Sequence, residues 1–247
     1  MAHQYLSREV STVAPGDTIS LHGAEAKHAA SVSRIRVGES IRVSNGRGLM
    51  AVGTVAAASA SEVRIEVEQV DRVPANRPEL WLVQALAKGD RDELAVQAAT
   101  ELGVDRIIPW AAARSISRWD AAKAEKGKVR WQTIVDEAAK QSLRPWTPEV
   151  APLHDTTALV GLVSSGEVQL LLCVPGAAMA LTDVEVDDRP VVLVVGPEGG
   201  MDAAEIDRLL EAGAQSVRLG AEVLRTSTAG PAALAVLASR LGRWSVS

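Results

Sequence analysis

A single cysteine, Cys173, is all that the 247 residues contain, so no internal disulfide framework can hold this chain. A reducing, cytoplasmic compartment is the expected setting. Cys173 lies in the apolar run LLLCV and reads as a small buried hydrophobe. No apolar stretch reaches the roughly 18 residues that a membrane-spanning helix requires. The opening MAHQYLSREV lacks the basic start and apolar centre of a secretion signal. His3, His22, His28 and His154 are scattered without metal-ligand spacing, so no metal site is expected. Basic residues are not in excess either, since the net charge is -5. That excludes a surface coated in positive charge, though a local basic face can hide within an acidic average.

What is present reads as an ordinary globular protein, 47% hydrophobic and 23% charged. One basic cluster stands out. In SRIRVGESIRVSNGRG, Arg34, Arg36, Arg42 and Arg47 fall close together. Arg34 and Arg36 are two apart, which on a strand gives them the same face. By charge alone the simpler reading is a solvated strand face.

The chain changes rhythm once. Residues 1–72 read as short β segments, among them ESIRVSN, MAVGTVAAA and SEVRIEVEQV, which suggests a small barrel or sandwich. Two prolines in DRVPANRPEL mark a linker at residues 73–78. Residues 79–247 alternate strands and helices: LWLVQALA, DRDELAVQAATELG, RIIPW, AEKGKVRWQTIVDEAAKQSL, TTALVGLVSS, VQLLLCV, RPVVLVV, DAAEIDRLLEAG, SVRLG and a last helix within TAGPAALAVLASRL. Gly103 and Gly213 read as helix stops. Alternation of this kind means a parallel sheet covered on both faces, so the class is α/β with a small β domain in front.

Ligands of open α/β sheets sit outside the carboxyl ends of the strands. Two strand ends qualify here. In LVVGPEGGMDAAEI the strand stops at Gly196, and Asp202 can cap the following helix, with Glu205 three residues on completing a capping-box-like pair. A phosphate loop would bring a lysine and a hydroxyl, but this one brings Glu198. The GxGxxG dinucleotide fingerprint is absent here as well. A neutral or cationic ligand fits better, S-adenosylmethionine among them. The second loop, LGAEVLRTSTAG, offers apolar Leu219, Val223 and Leu224, suited to an adenine ring, and the fixed charge of Arg225. By spacing alone Arg225 is equally a surface arginine beside a helix.

GPEGGMDAAEI followed by LGAEVLRTSTA resembles the paired signature of the SPOUT-class methyltransferases that modify uracil N3 in 16S ribosomal RNA. LAKGDRDELAVQAATELGV, EAAKQSLRPWTPEV and HAASVSRIRVGESI are similar to further segments of that family, so the resemblance runs from about residue 22 to residue 240. It implies a PUA-like RNA-binding barrel ahead of a catalytic domain with a deep trefoil knot. It also implies a homodimer and S-adenosylmethionine as methyl donor. Carried over residue by residue, it puts Gly196, Glu198, Gly199 and Gly200 in one donor loop. Leu219, Gly220, Val223, Leu224 and Thr228 fall in the other, with Val174 as a remaining wall. Two positions depart from the pattern: Ser227 stands where glutamate is common, and Ala98 where lysine is common.

The chemistry implied is demanding. Uracil N3 carries a proton and attacks poorly until that proton leaves. Arg225 is the expected stabiliser of the developing anion. Glu198 is either a proton acceptor or tied to amides in its own turn. Arg8, His28, Arg34 and Arg36 are the expected RNA contacts, with a 30S particle as the expected partner. Rival readings are another SPOUT reaction, such as ribose 2′-O or guanine N1 methylation of transfer RNA, and a noncatalytic RNA-binding or assembly protein of the same fold. A nicotinamide-dependent oxidoreductase lacks its fingerprint.

Overall fold

The computed structural model describes residues 3–245. By contacts within the chain it divides into two compact units, residues 1–75 together with 139–147, and residues 76–138 together with 148–247.

The first unit is a five-stranded mixed sheet in the order β1-β3-β4-β5-β2. Its strands are β1 (Gln4–Leu6), β2 (Thr18–His22), β3 (Ser40–Ser44), β4 (Leu49–Ala58) and β5 (Glu62–Arg72). β1 pairs parallel with β3 and the other pairs are antiparallel. Alternation drives the burial: Val63, Ile65 and Val67 of β5 point inward with Ile19, Leu21, Ile41 and Val43. Between β2 and β3 the chain forms α1 (Gly23–Lys27), which runs on into a π-helical turn, His28–Val32.

The segment 139–147 closes this unit from far along the sequence. Lys140, almost fully buried, donates to Glu25 at 2.8 Å, and Glu25 also accepts from the Leu6 amide. A buried ammonium of this kind is stable only with its carboxylate beside it. Trp146 donates to the Val73 carbonyl at 2.8 Å. Its ring lies so close to the 46–48 turn that a Cβ on Gly48 would stand 2.8 Å from it. The expected linker at residues 73–78 puts 139–147 in the second domain instead, at the end of the long helix of AEKGKVRWQTIVDEAAKQSL and just after it.

The second unit is a seven-stranded, wholly parallel sheet in the order β10-β12-β9-β11-β6-β7-β8. The strands are β6 (Leu80–Ala85), β7 (Arg106–Trp110), β8 (Glu149–Val150), β9 (Gln169–Cys173), β10 (Met179–Ala180), β11 (Val191–Val195) and β12 (Gln215–Arg218). The helices are α2 (Arg91–Glu101), α3 (Ala121–Gln141), α4 (Thr156–Ser164), α5 (Ala203–Glu211) and α6 (Thr226–Arg240). The fold class read from the alternation is the one found.

β11 explains why its run is apolar throughout. Val191, Leu193 and Val195 enter one hydrophobic cluster, and Val192 and Val194 enter the cluster on the opposite face. α6 is drawn tight to the sheet by Gly230, where a Cβ would stand 3.0 Å from the Leu82 side chain. That approach brings the start of α6 to the carboxyl ends of β6 and β11.

Candidate functional site

β9, β11 and β12 end side by side, and their loops enclose a cavity of about 660 Å³. This lies within the size range of small-molecule sites. Val174, Gly196, Glu198, Gly199, Gly200, Leu219, Gly220, Val223, Leu224 and Arg225 all line it. Thr228 does not; it is exposed on α6. The hydroxyl that reaches the cavity belongs to Thr226, two residues earlier. Cys173 also stands in this wall, where burial pushes its thiol up to about 12 and keeps it uncharged.

The glycine loop has local reasons for its composition. Gly200 has φ +72°, in the left-handed region that side chains avoid. At Gly196 a Cβ would stand 2.8 Å from Met201 Cγ and 3.2 Å from the Met201 amide. Asp202 then caps α5, accepting from the Ala204 amide at 3.0 Å. The reciprocal half of the expected capping box does not form. Glu205 is buried, and its Oε1 accepts from the Ala113 amide at 3.0 Å and from the Thr156 hydroxyl at 2.5 Å. Two donors from other elements outcompete the amide of its own helix start.

The loop is held from outside by two arginines that the sequence reading does not single out. Arg91, at the start of α2, donates to Glu198 Oε1 at 2.8 Å, and the Lys88 amide donates to the same oxygen at 3.1 Å. Arg114, in the loop after β7, pairs with Asp202 at 3.1 Å and reaches the Gly199 carbonyl at 3.4 Å. Burial raises the Glu198 carboxyl. Hydrogen bonds from its own backbone, from Arg91 and from Lys88, with the Arg91 charge, outweigh that and hold it below the ordinary carboxylate range. A carboxylate so satisfied is a poor proton acceptor.

From inside, Thr226 donates to the Gly196 carbonyl at 2.8 Å. Arg225, beside it, is the N-cap residue of α6, is exposed, and makes no side-chain hydrogen bond or ion pair among the described residues. A guanidinium on a cavity rim, with all its donors available, can meet a developing anion. Among the described residues no group of three or more His, Cys, Asp or Glu side chains could hold a metal ion. No helix among them is long and apolar enough to cross a membrane.

The four residues expected to touch RNA all lie in the first unit. Arg8 is exposed in the turn after β1. His28 opens the π-helical turn, half-buried and edge-on to Tyr5 with ring centroids 6.2 Å apart. Arg34 and Arg36 are exposed but are not on a strand, which corrects the shared-face argument. Arg34 has φ +53°, directly after the π-helical turn, so the chain is bending there rather than extended.

Comparison with known proteins gives one answer. Residues 74–238 match the family described as RNA methyltransferase domain, and residues 21–68 match RNA methyltransferase PUA domain. The chain is 39% identical over 236 residues to ribosomal RNA small subunit methyltransferase E of Mycobacterium bovis, covering 94% of this chain and 90% of that one. The protein of the same name from Bacillus subtilis is 31% identical, with 89% of each chain covered. Among solved structures, ribosomal RNA small subunit methyltransferase E from Neisseria gonorrhoeae, crystallised with S-adenosyl methionine, superimposes with a TM-score of 0.86. It shares 29% identity over 97% of this chain and 98% of its own. With both domains matched in order and the strand-end cavity in place, the chain belongs to the RNA methyltransferase family.

Proposed function

We propose that this protein transfers the methyl group of S-adenosylmethionine to N3 of a uracil in small-subunit (16S) ribosomal RNA. The observation that carries this reading is the cavity of about 660 Å³ where two successive strand-end loops meet, with Arg225 on its rim and unpaired among the described residues. Relatives named ribosomal RNA small subunit methyltransferase E support the substrate class, and the donor in the gonococcal structure supports the cofactor.

The residues present fit the donor. Around Gly200 nothing lies within 4 Å of where a Cβ would stand, so a ligand can come close to the backbone of the loop there. Val174, Leu219 and Leu224 supply an apolar wall for a purine ring, and the carboxylate of Glu222 suits a cationic sulfur better than a phosphate. When bound, the donor supplies an electrophilic methyl group on that sulfur. Arg225 stabilises the negative charge that grows on the uracil as the N3 proton passes to solvent water. Glu198 shapes the glycine loop through Arg91 and Lys88 rather than taking that proton. The target base is unstacked to expose its N3 edge, with Arg8, His28, Arg34 and Arg36 of the front unit holding the flanking RNA. Ser227, at the start of α6, leaves no carboxylate immediately beside Arg225 and Thr226. The same reading takes a 30S particle as substrate, a homodimer as the working form, and the cytoplasm as its location.

The test is methylation of 30S particles from cells lacking this protein, followed by mass mapping of the modified nucleotide. N3-methyluridine in 16S RNA is the expected product. Methyl groups found only on ribose 2′-oxygens or on transfer RNA guanine would overturn the assignment. No heat of S-adenosylmethionine binding would instead support a noncatalytic RNA-binding protein.

A further inference from the structure

Gln84 is a fully buried amide near the end of β6, with buried, apolar Val83 and Ala85 on either side and Val195 opposite it on β11. Its Nε2 donates to the Ala85 carbonyl at 3.2 Å and to Thr226 Oγ1 at 2.9 Å. Its Oε1 has no partner. A leucine would fill such a position without stranding an oxygen, and burying an unsatisfied polar atom is costly. The amide therefore has a task that packing does not explain.

The task lies one bond further on. A threonine hydroxyl has one proton to give. By donating to Thr226, Gln84 occupies the acceptor side of that hydroxyl and leaves its proton for the Gly196 carbonyl, 2.8 Å away. The chain Gln84 to Thr226 to Gly196 thus runs in one direction. It joins the end of β6, the start of α6 and the first residue of the glycine loop. Thr226 and Gly196 line the cavity, and Gln84 does not.

We infer that Gln84 is a positioning residue for the methyl donor, acting through Thr226 to fix the Gly196 peptide and hold the glycine loop in register with the start of α6. This rests on the reading of the cavity as the donor site. Nothing in a strand-by-strand reading of β6 assigns Gln84 such a role, because its partner lies 142 residues away.

The test uses the full chain and S-adenosylmethionine as the probe, with affinity read by calorimetry, methyl transfer by initial rates, and folding by thermal melting. Gln84→Met and Thr226→Val are each expected to weaken donor affinity about three- to tenfold, the loss of one net hydrogen bond. They should raise the donor KM by the same factor and leave kcat within about twofold. Thr226→Ser keeps the hydroxyl and should bind like the parent. The double variant should bind no worse than Thr226→Val alone, since the two side chains act through one bond. Gln84→Met binding as tightly as the parent, or losses that multiply in the double variant, would overturn the inference while leaving the donor site intact. Thr226→Val binding as tightly as Thr226→Ser would overturn it even if no Gln84 variant folds. A parent chain that fails to bind the donor takes down the inference and the proposed function together.

Discussion

Between Gly196 and Asp202 the chain is held from three sides, by Arg91, Arg114 and Thr226, whereas from Leu219 to Arg225 no side chain among the described residues makes a hydrogen bond or ion pair. The first loop is thus fixed by contacts from elsewhere in the chain. The second presents Val223, 77% exposed, and Leu224, 37% exposed, as apolar surface. A site built this way separates two tasks. In the proposed reading the tethered wall holds the donor at low ordering cost, and the untethered wall carries Arg225 to the base that enters beside it.

That contrast can be broken or sharpened by four variants, beginning with the largest effect. Arg225→Ala should slow methyl transfer about a hundredfold or more, the usual cost of removing a charge-stabilising donor. Its donor affinity should stay within about threefold of the parent. Single-turnover rates alongside calorimetry separate the two, and lost affinity with an unchanged rate would move Arg225 from chemistry to binding. Gly200→Val puts a β-branched residue at φ +72°, at a strain of about 1–2 kcal/mol. Donor affinity should fall about five- to thirtyfold.

Arg91→Ala should cost no more than about fivefold, because a half-exposed ion pair contributes at most about 1 kcal/mol. Its signature is in the pH dependence. The Glu198 carboxyl is held below its ordinary value, so its contribution is full above the ordinary carboxylate range and lost as pH falls through the depressed value. Removing Arg91 should move that acid loss of donor affinity to higher pH. An unmoved acid limb would mean that Arg91 is not what keeps Glu198 ionised. Val223→Ala should change donor affinity less than about twofold, given its exposure. A loss beyond tenfold would show the second loop folding onto the ligand, and the contrast between the walls would disappear.

Much of this architecture was readable because it is local. Helix stops at Gly103 and Gly213 have φ +95° and +107°, as glycine at a helix end predicts. The Asp202 cap forms two residues from its own amide partner. The apolar run of β11 announces burial on both faces. What was not readable depends on partners remote in sequence. Arg91 and Glu198 are 107 residues apart, and Gln84 and Thr226 are 142 apart. Thr226 stands just before a helical pattern, where threonine reads as an ordinary helix-start residue. Glu205 matches the capping-box spacing, yet a buried site with two better donors takes it. Arg34 and Arg36 alternate like strand residues, but the preceding HAASV winds into a π-helical turn that nothing in its composition signals.

The return of residues 139–147 to the front unit has a practical consequence for anyone who would move that unit elsewhere. A fragment ended in the proline-bearing stretch near residue 75 omits Lys140 and Trp146, leaving the Glu25 carboxylate without its counter-ion and the 46–48 turn without its indole. Transplanting the front unit therefore requires two junctions, and a donor sequence spliced at only one would inherit an incomplete module.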